Sequence, residues 1–309
     1  MKAEFINVFN NGVLIQADEH KTIFTIQDVN IQDDFVLDEK GMKMLLKFDR
    51  PKVVKKDNQI IVSSDTLKAK IKTIENSILD LDYILNVKEG HKAYCKLGTI
   101  KKALAFVAKG NNKPILTGVN VSEQYVQATN SFMLFREKNI TDVIEDEEVT
   151  NFNVTLTQEF VNQIEGDADD ILEFEFNEQK VKCVNNGITY VGNLLSGTYP
   201  NTQKLYEQDY FESLEITKDK LNEILKLVNN EKSDIVAFDK DSISIEGDIP
   251  VELKLDEKVD LDHSIRVSYD YLKTAINTIA DRTIKLDFSK NIVFVNKDIL
   301  VLQIIKVEE

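Results

Sequence analysis

Residues 35–48 read FVLDEKGMKMLLKF, residues 152–166 FNVTLTQEFVNQIEG and residues 265–279 IRVSYDYLKTAINTI. All three have the same order. A short β-type start comes first, then Asp38, Thr157 or Ser268 as a helix cap, then apolar residues at helical spacing. The repeating valines Val36, Val154 and Val267 mark a domain-sized period rather than a solenoid repeat. Short strands follow each helix: IIVSS and LKAKIKTI in the first copy, ILEFEF, KVKCV and TYVGNLL in the second, and TIKLDF, NIVFV and ILVLQII in the third. ILEFEF alternates apolar and charged residues, as a strand with one wet face does. GDADD, FNEQ, VNNG and FSKN supply turn residues between strands.

A second unit of the same kind precedes the last two copies. One is KLGTIKKALAFVAKGNN from Lys96, followed by KPILTGVNV and EQYVQATN as strands. The other is LEITKDKLNEILKLVNNE from Leu214, followed by DIVAF and SISIEG. Helices are thus expected over 38–48, 99–109, 157–165, 217–229 and 270–281. The opening residues offer only the strands GVLIQAD and TIFTIQDVNI. The expected fold is α+β, in three domains of doubled strand–helix–strands units (1–85, 86–205 and 206–309), the first domain without its first helix.

Composition narrows the function. The 309 residues are 42% hydrophobic with a net charge of −15, so the chain builds real cores but cannot grip nucleic acid over its whole surface. Lysines do fall on helix faces. Lys40, Lys43 and Lys47 share one, Lys101, Lys102 and Lys109 another, and Lys218 and Lys220 lie off the Leu221–Ile224–Leu225–Val228 stripe. Lys273 is the single lysine of the last helix, and the helix over 157–165 has none. Such lysines attract phosphates without reading bases, so sequence-independent contact with duplex DNA is the expectation. Leu227 falls off its own helix's core stripe. Cys95 and Cys183 stand far from any C-x-x-C pair and His20, His91 and His263 stand alone, so neither a metal nor another cofactor is expected. The one acidic cluster, Asp167, Asp169 and Asp170, sits in a turn with no nucleophile or phosphate loop nearby. A metal-dependent nuclease is the alternative it leaves open. No apolar run reaches the length that spans a bilayer, and a cytoplasmic protein is expected.

The run KPILTGVNVSEQYVQATNSFMLF from Lys113 and LSGTYPNTQKL from Leu195 resemble two signatures of the second domain of bacterial and phage DNA polymerase III beta-type sliding clamps, the processivity factors of DNA replication. The resemblance implies three-domain protomers joined head to tail, as a homodimer ring around duplex DNA, with helices lining the hole. It also implies that the chain is not an enzyme. A pocket would accept short linear peptides from the replicative polymerase and the clamp loader. Carried over by position, its walls are Thr129, Ser131, Phe132, Met133, Leu134, Pro200, Lys204, Leu205, Tyr271, Leu302 and Ile304, and the subunit interface contains Ile71, Leu227 and Val228. Ser131-Phe132-Met133 stands where the family often has Gly-His-Arg, and Lys204 where it has Arg. A clamp-fold monomer that binds clamp-interaction peptides without encircling DNA is the rival reading.

Overall fold

The structure, a computed structural model, describes residues 5–8, 13–17, 23–28, 34–45, 47–48, 51–75, 87, 91–110, 113–140, 152–227, 235–246 and 250–302. Among these residues the helices are α1 (Glu39–Leu45), α2 (Leu97–Ala103), α3 (Gln158–Gln163), α4 (Gln203–Tyr206), α5 (Lys218–Lys226) and α6 (Tyr269–Thr278). Five of them answer the five expected helices. Each of those five follows directly on a strand: Phe35–Leu37, His91–Lys96, Asn153–Leu156, Glu212–Thr217 or Ile265–Ser268. Lys113–Val121 is an exception to expectation. Pro114 opens a 3₁₀ turn, Pro114–Thr117, and only Val119–Ser122 is strand, because proline fixes φ and lacks a ladder donor.

The helix starts are capped in different ways. Asp38 Oδ1 accepts from Gly41 N at 2.6 Å, Thr157 Oγ1 from Phe160 N at 3.2 Å and Thr217 Oγ1 from Lys220 N at 3.3 Å. Ser268, expected to cap α6, occupies the position but its hydroxyl makes no capping bond. α2 begins two residues early and uses backbone carbonyls instead: Leu97 N donates to Asp170 O at 2.9 Å and Gly98 N to Ala168 O at 2.8 Å.

The chain packs as two compact units, residues 1–101 with 120–124 and 139–197, and residues 102–119 with 125–138 and 198–309. The first holds an eight-stranded antiparallel sheet in the order Phe35–Leu37, Phe5–Val8, Val13–Ala17, Ile23–Asp28, Ile188–Asn193, Lys180–Asn185, Ile171–Phe176, His91–Lys96. This is two four-stranded halves. In each, the strand that feeds a helix lies outermost and a three-strand meander follows. The halves join through their last strands, from Gln27↔Ile188 to Ile23↔Gly192. Phe160 of α3 packs on Phe174 of this sheet, and a Cβ at Gly192 would come within 2.6 Å of the Phe160 ring. The unit's other sheet has three antiparallel strands, Lys52–Lys56, Gln59–Ser63 and Lys68–Lys72. α1 covers one face of it, burying Met42 and Leu45 against Ile60, Val62 and Ile71.

The second unit repeats the plan. Six antiparallel strands run Tyr125–Thr129, Met133–Lys138, Ile299–Leu302, Ile292–Val295, Thr283–Phe288, Glu212–Thr217. Here too last strands meet, Met133↔Val301 to Phe135↔Ile299. A four-stranded half stands beside them: Ile265–Ser268, Ile235–Phe238, Ser242–Glu246, Val251–Lys254. α5 and α6 bury Leu221, Ile224, Leu225, Leu272, Ala275 and Ile276, and Tyr269 Oη donates to Leu225 O at the end of α5. The α+β class and the repeated strand–helix–strands unit are therefore what the molecule has.

Candidate partner-binding site

The site forms where the hairpin of strands Tyr125–Thr129 and Met133–Lys138 meets strand Ile299–Leu302. Its turn is tied from within. Asn130 Oδ1 accepts from Phe132 N and Met133 N, both at 2.9 Å, while Thr129 Oγ1 donates to Met133 O at 2.7 Å and accepts from Ser131 N at 3.1 Å. These bonds hold Ser131 at φ 80°, a conformation natural to glycine and strained for serine. The turn thrusts Phe132 outward, 54% exposed, and its ring stacks on Tyr271 with centroids 5.8 Å apart. Leu302 N donates to Phe132 O at 2.9 Å, joining the turn to the C-terminal strand.

Beneath lies an apolar floor of Leu134, Ile292, Phe294 and Leu300, with Leu205, Tyr206 and Leu302 half-buried over it. The short α4 is fixed there by polar contacts. Thr202 Oγ1 donates to Gln127 Oε1 at 2.6 Å, out of contact with solvent. The Arg136 guanidinium lies 4.2 Å from the Tyr125 ring centroid and 3.5 Å from that of Tyr206, and it donates to Gln203 Oε1 at 3.0 Å. Tyr206 Oη donates to Asp298 O at 3.0 Å. Burial pushes the Tyr206 hydroxyl well above the usual phenol range, so it stays a neutral donor.

Behind the Phe132–Tyr271 pair opens a cleft of about 950 Å³. Val107, Leu116 and Met133 give it an apolar side, and Lys109, Lys113, Lys273 and Asp270 a charged one. A half-apolar slot next to a rigid hairpin can seat the side chains of a short extended peptide.

Of the expected pocket residues, Thr129, Ser131, Phe132, Met133 and Leu134 form the hairpin side, Leu205 and Leu302 cover its floor, and Tyr271 stacks on Phe132. Leu134 is a floor residue, 3% exposed, rather than an accessible wall. Pro200 is exposed on the segment leading into α4 and Lys204 is exposed within α4, and Ile304 lies outside the described residues. Sequence reading missed Arg136 and Tyr206. One arginine in a strand and one tyrosine at the end of a short helix carry no shared signal until the fold stacks them.

The helix lysines are less free than their spacing suggests. Lys40, Lys47 and Lys109 are exposed, and Lys43 pairs with Glu39 at 2.6 Å. Lys102 faces Glu137 at 3.4 Å, Lys220 pairs with Asp256, and Lys101 and Lys218 donate to the carbonyls of Asn162 and Ile279. Lys273 donates to Tyr269 Oη at 3.1 Å, and with Lys109 it lines the cleft. Leu227 stands 64% exposed at the end of α5, as its place off the core stripe foretold. Ile71 turns inward: it is 6% exposed and part of the α1 core, because its position in the strand alternation puts it opposite the outward Lys70 and Lys72. Val228 lies outside the described residues.

The acidic turn serves itself. Asp170 Oδ2 accepts from Asp167 N at 2.9 Å and Asn185 Nδ2 at 3.0 Å, and Asp169 lies 3.7 Å from Lys96. Among the described residues no cluster of His, Cys, Asp or Glu could hold a metal, and no helix is long and apolar enough to cross a membrane.

No protein-family model matches the chain. Its sequence is 23% identical to the beta sliding clamp of Bacillus subtilis over 324 aligned residues, covering 90% of this chain and 85% of that one. Among solved structures, the DNA polymerase sliding clamp of Bacillus subtilis superposes with a TM-score of 0.78 at 17% identity, covering 98% of this chain and 90% of that one. The chain has the bacterial sliding-clamp fold. Two further clamps agree: the DNA polymerase III subunit beta of Pseudomonas aeruginosa (TM-score 0.75, 11% identity, 98% and 93% covered) and the Helicobacter pylori beta clamp bound to a DNA ligase peptide (0.73, 14%, 99% and 93%). The clamp fold thus runs along nearly the whole chain, and the strand–helix–strands repeat is the clamp repeat.

Proposed function

We propose that this chain is a non-enzymatic DNA sliding clamp, which closes with a second copy around duplex DNA and tethers replication proteins by short peptides. The observation that carries the ring is a mismatch in strand bookkeeping. Inside the chain, half-sheets join through their last strands twice, at Ile23–Asp28 with Ile188–Asn193 and at Met133–Lys138 with Ile299–Leu302. Two further sheets, of three and four strands, end among the described residues in unpaired last strands, Lys68–Lys72 and Val251–Lys254. Open edges are a liability that proteins cover. One copy's Lys68–Lys72 against the other's Val251–Lys254 would complete the same pattern, and two such joints close a ring. On this reading the three divisions 1–85, 86–205 and 206–309 are clamp domains, and Leu227 lies near the joint.

In this reading the surface around Phe132, Leu205, Leu302 and Tyr271 takes the partner peptide; its apolar floor and the hydrogen-bonded hairpin turn beside it support that role. The exposed helix lysines Lys40 and Lys47 face DNA. A ring needs no tight grip, which suits a surface where most helix lysines are locally neutralised.

Light scattering tests the assembly and should give twice the chain mass. After loading, the protein should remain on nicked circular plasmid and be lost when that plasmid is linearised. A species of single-chain mass at every concentration, binding polymerase peptides normally, would favour the monomeric adaptor.

A further inference from the structure

The three-stranded sheet of the first unit has an outer face dense in lysine. Register sets Lys52, Ser63 and Lys68 side by side, then Val54, Ile61 and Lys70, then Lys56, Gln59 and Lys72. These share the face away from α1, since Ile60, Val62 and Ile71 point into the core that α1 covers. All five lysines are exposed, and the three strands contain no Asp or Glu. Asp57 and Asp65 stand only in the turns at the sheet's ends. Lys43, Lys102 and Lys220 on the helices each have a carboxylate partner. Among the described residues none of these five has one. Five lysines without a carboxylate partner on one small face make it a local concentration of positive charge in a chain of net charge −15.

We propose that this face binds the phosphate backbone of a nucleic acid without reading its bases, as a second contact separate from the helix lysines. Strands lie about 4.8 Å apart, so the lysines of the two outer strands form parallel rows about 10 Å apart. Val54 and Ile61 lie between them, apolar surface on which lysine stems can rest while the ammonium groups reach out. The face has no aromatic ring for stacking bases, which restricts it to backbone contact. Only Gln59 and Ser63 offer neutral polar side chains, too few to satisfy the amides of an acidic peptide, whereas phosphates need only the cations. The acidic remainder of the chain repels a polyanion and leaves this patch as its approach. The proposal does not depend on ring closure, since a single copy presents the same face.

The test uses the full chain, a short fluorescent linear duplex and no loader, with anisotropy read across a salt series. Lys52→Glu/Lys56→Glu, on the strand away from the proposed joint, should lower affinity about tenfold or more at low salt. It should also flatten the slope of log K against log salt by about 2, since each lost phosphate contact contributes about 0.9. Lys52→Gln/Lys56→Gln, with circular dichroism to verify folding, repeats the measurement should the glutamates disturb the sheet. Wild-type affinity and slope in both variants would overturn the proposal. Lys40→Glu/Lys47→Glu reports on the helix face alone, so the two readings fail independently. Equally tight binding of poly-glutamate at the same salt would also overturn the proposal, making the partner an acidic protein.

Discussion

Substituting Lys70 by proline isolates the open edge from the fold. Thr73 N donates to Asn58 O and Ser64 N to Leu67 O, both at 2.9 Å, which fixes the hydrogen-bonded pairs of the Gln59–Ser63/Lys68–Lys72 ladder. Because such pairs alternate, Ile60↔Ile71 and Val62↔Ala69 exchange bonds, while the N–H and C=O groups of Lys68, Lys70 and Lys72 point to the open side. Leu255 N donating to Asp241 O at 2.8 Å likewise turns the backbone of Glu252 and Lys254 outward. Lys70→Pro therefore removes a donor that the single chain does not use. Folding stability should change by no more than about 1 kcal/mol, whereas a joint of a few net hydrogen bonds at about 1 kcal/mol each, further blocked by the proline ring, should lose about 3 kcal/mol. That is roughly 100-fold in the dimer dissociation constant. Sedimentation velocity over a concentration series reads this directly, with circular dichroism to verify the fold. Ile71→Pro is the contrast: its N–H belongs to the inner ladder and its side chain to the core, so it should unfold the sheet. A Lys70→Pro protein that dimerises like wild type would refute the joint.

Three other outcomes follow from the same structure. Leu227→Asp should leave folding within about 0.5 kcal/mol, since Leu227 is 64% exposed, yet halve the solution mass if a carboxylate must be buried in the joint. Leu205→Ala/Leu302→Ala should abolish binding of a polymerase tail peptide, measured by calorimetry, at little cost in folding; Leu134→Ala should instead lower thermal stability by about 2–5 kcal/mol, because Leu134 is a core residue. Alkaline pH should destabilise the fold. Burial pushes the Cys183 thiol up from its ordinary 9.0 to about 12, with the Glu173 carboxylate adding to it, and burial together with the neighbouring Cys183 raises Cys95. The unfolded chain then ionises before the folded one and binds fewer protons above pH 9, so stability falls as pH rises from 9 toward 12. The slope from Cys183 alone is about 1.4 kcal/mol per pH unit, and denaturant titrations at stepped pH would show it.

The repeat was legible because it rests on local physics. A capping side chain followed by apolar residues at helical spacing is a helix start wherever it falls, and Asp38, Thr157 and Thr217 act as caps. Ile171–Phe176 shows the alternation in its burial, with Leu172, Phe174 and Phe176 inside. Position within a strand was harder to carry over. Ile71 sits in the edge strand that the resemblance pointed to, yet a shift of one residue along a strand exchanges the two faces, and its side chain belongs to the core.

Strand order and charge pairing belonged to the tertiary structure. Nothing in Ile23–Asp28 specifies Ile188–Asn193 as its neighbour, because the backbone groups that join two edges are the same in every residue. Nor does helical spacing tell that Lys102 meets Glu137 or Lys220 meets Asp256, while Lys52, Lys56, Lys68, Lys70 and Lys72 have no carboxylate partner among the described residues. The sequence by itself determined the five repeat helices and their order among the strands, since caps and periodicity act between near neighbours. Only the folded chain decided which edges close, which stay open and where the free charge gathers, since those depend on residues brought together from distant parts of the chain.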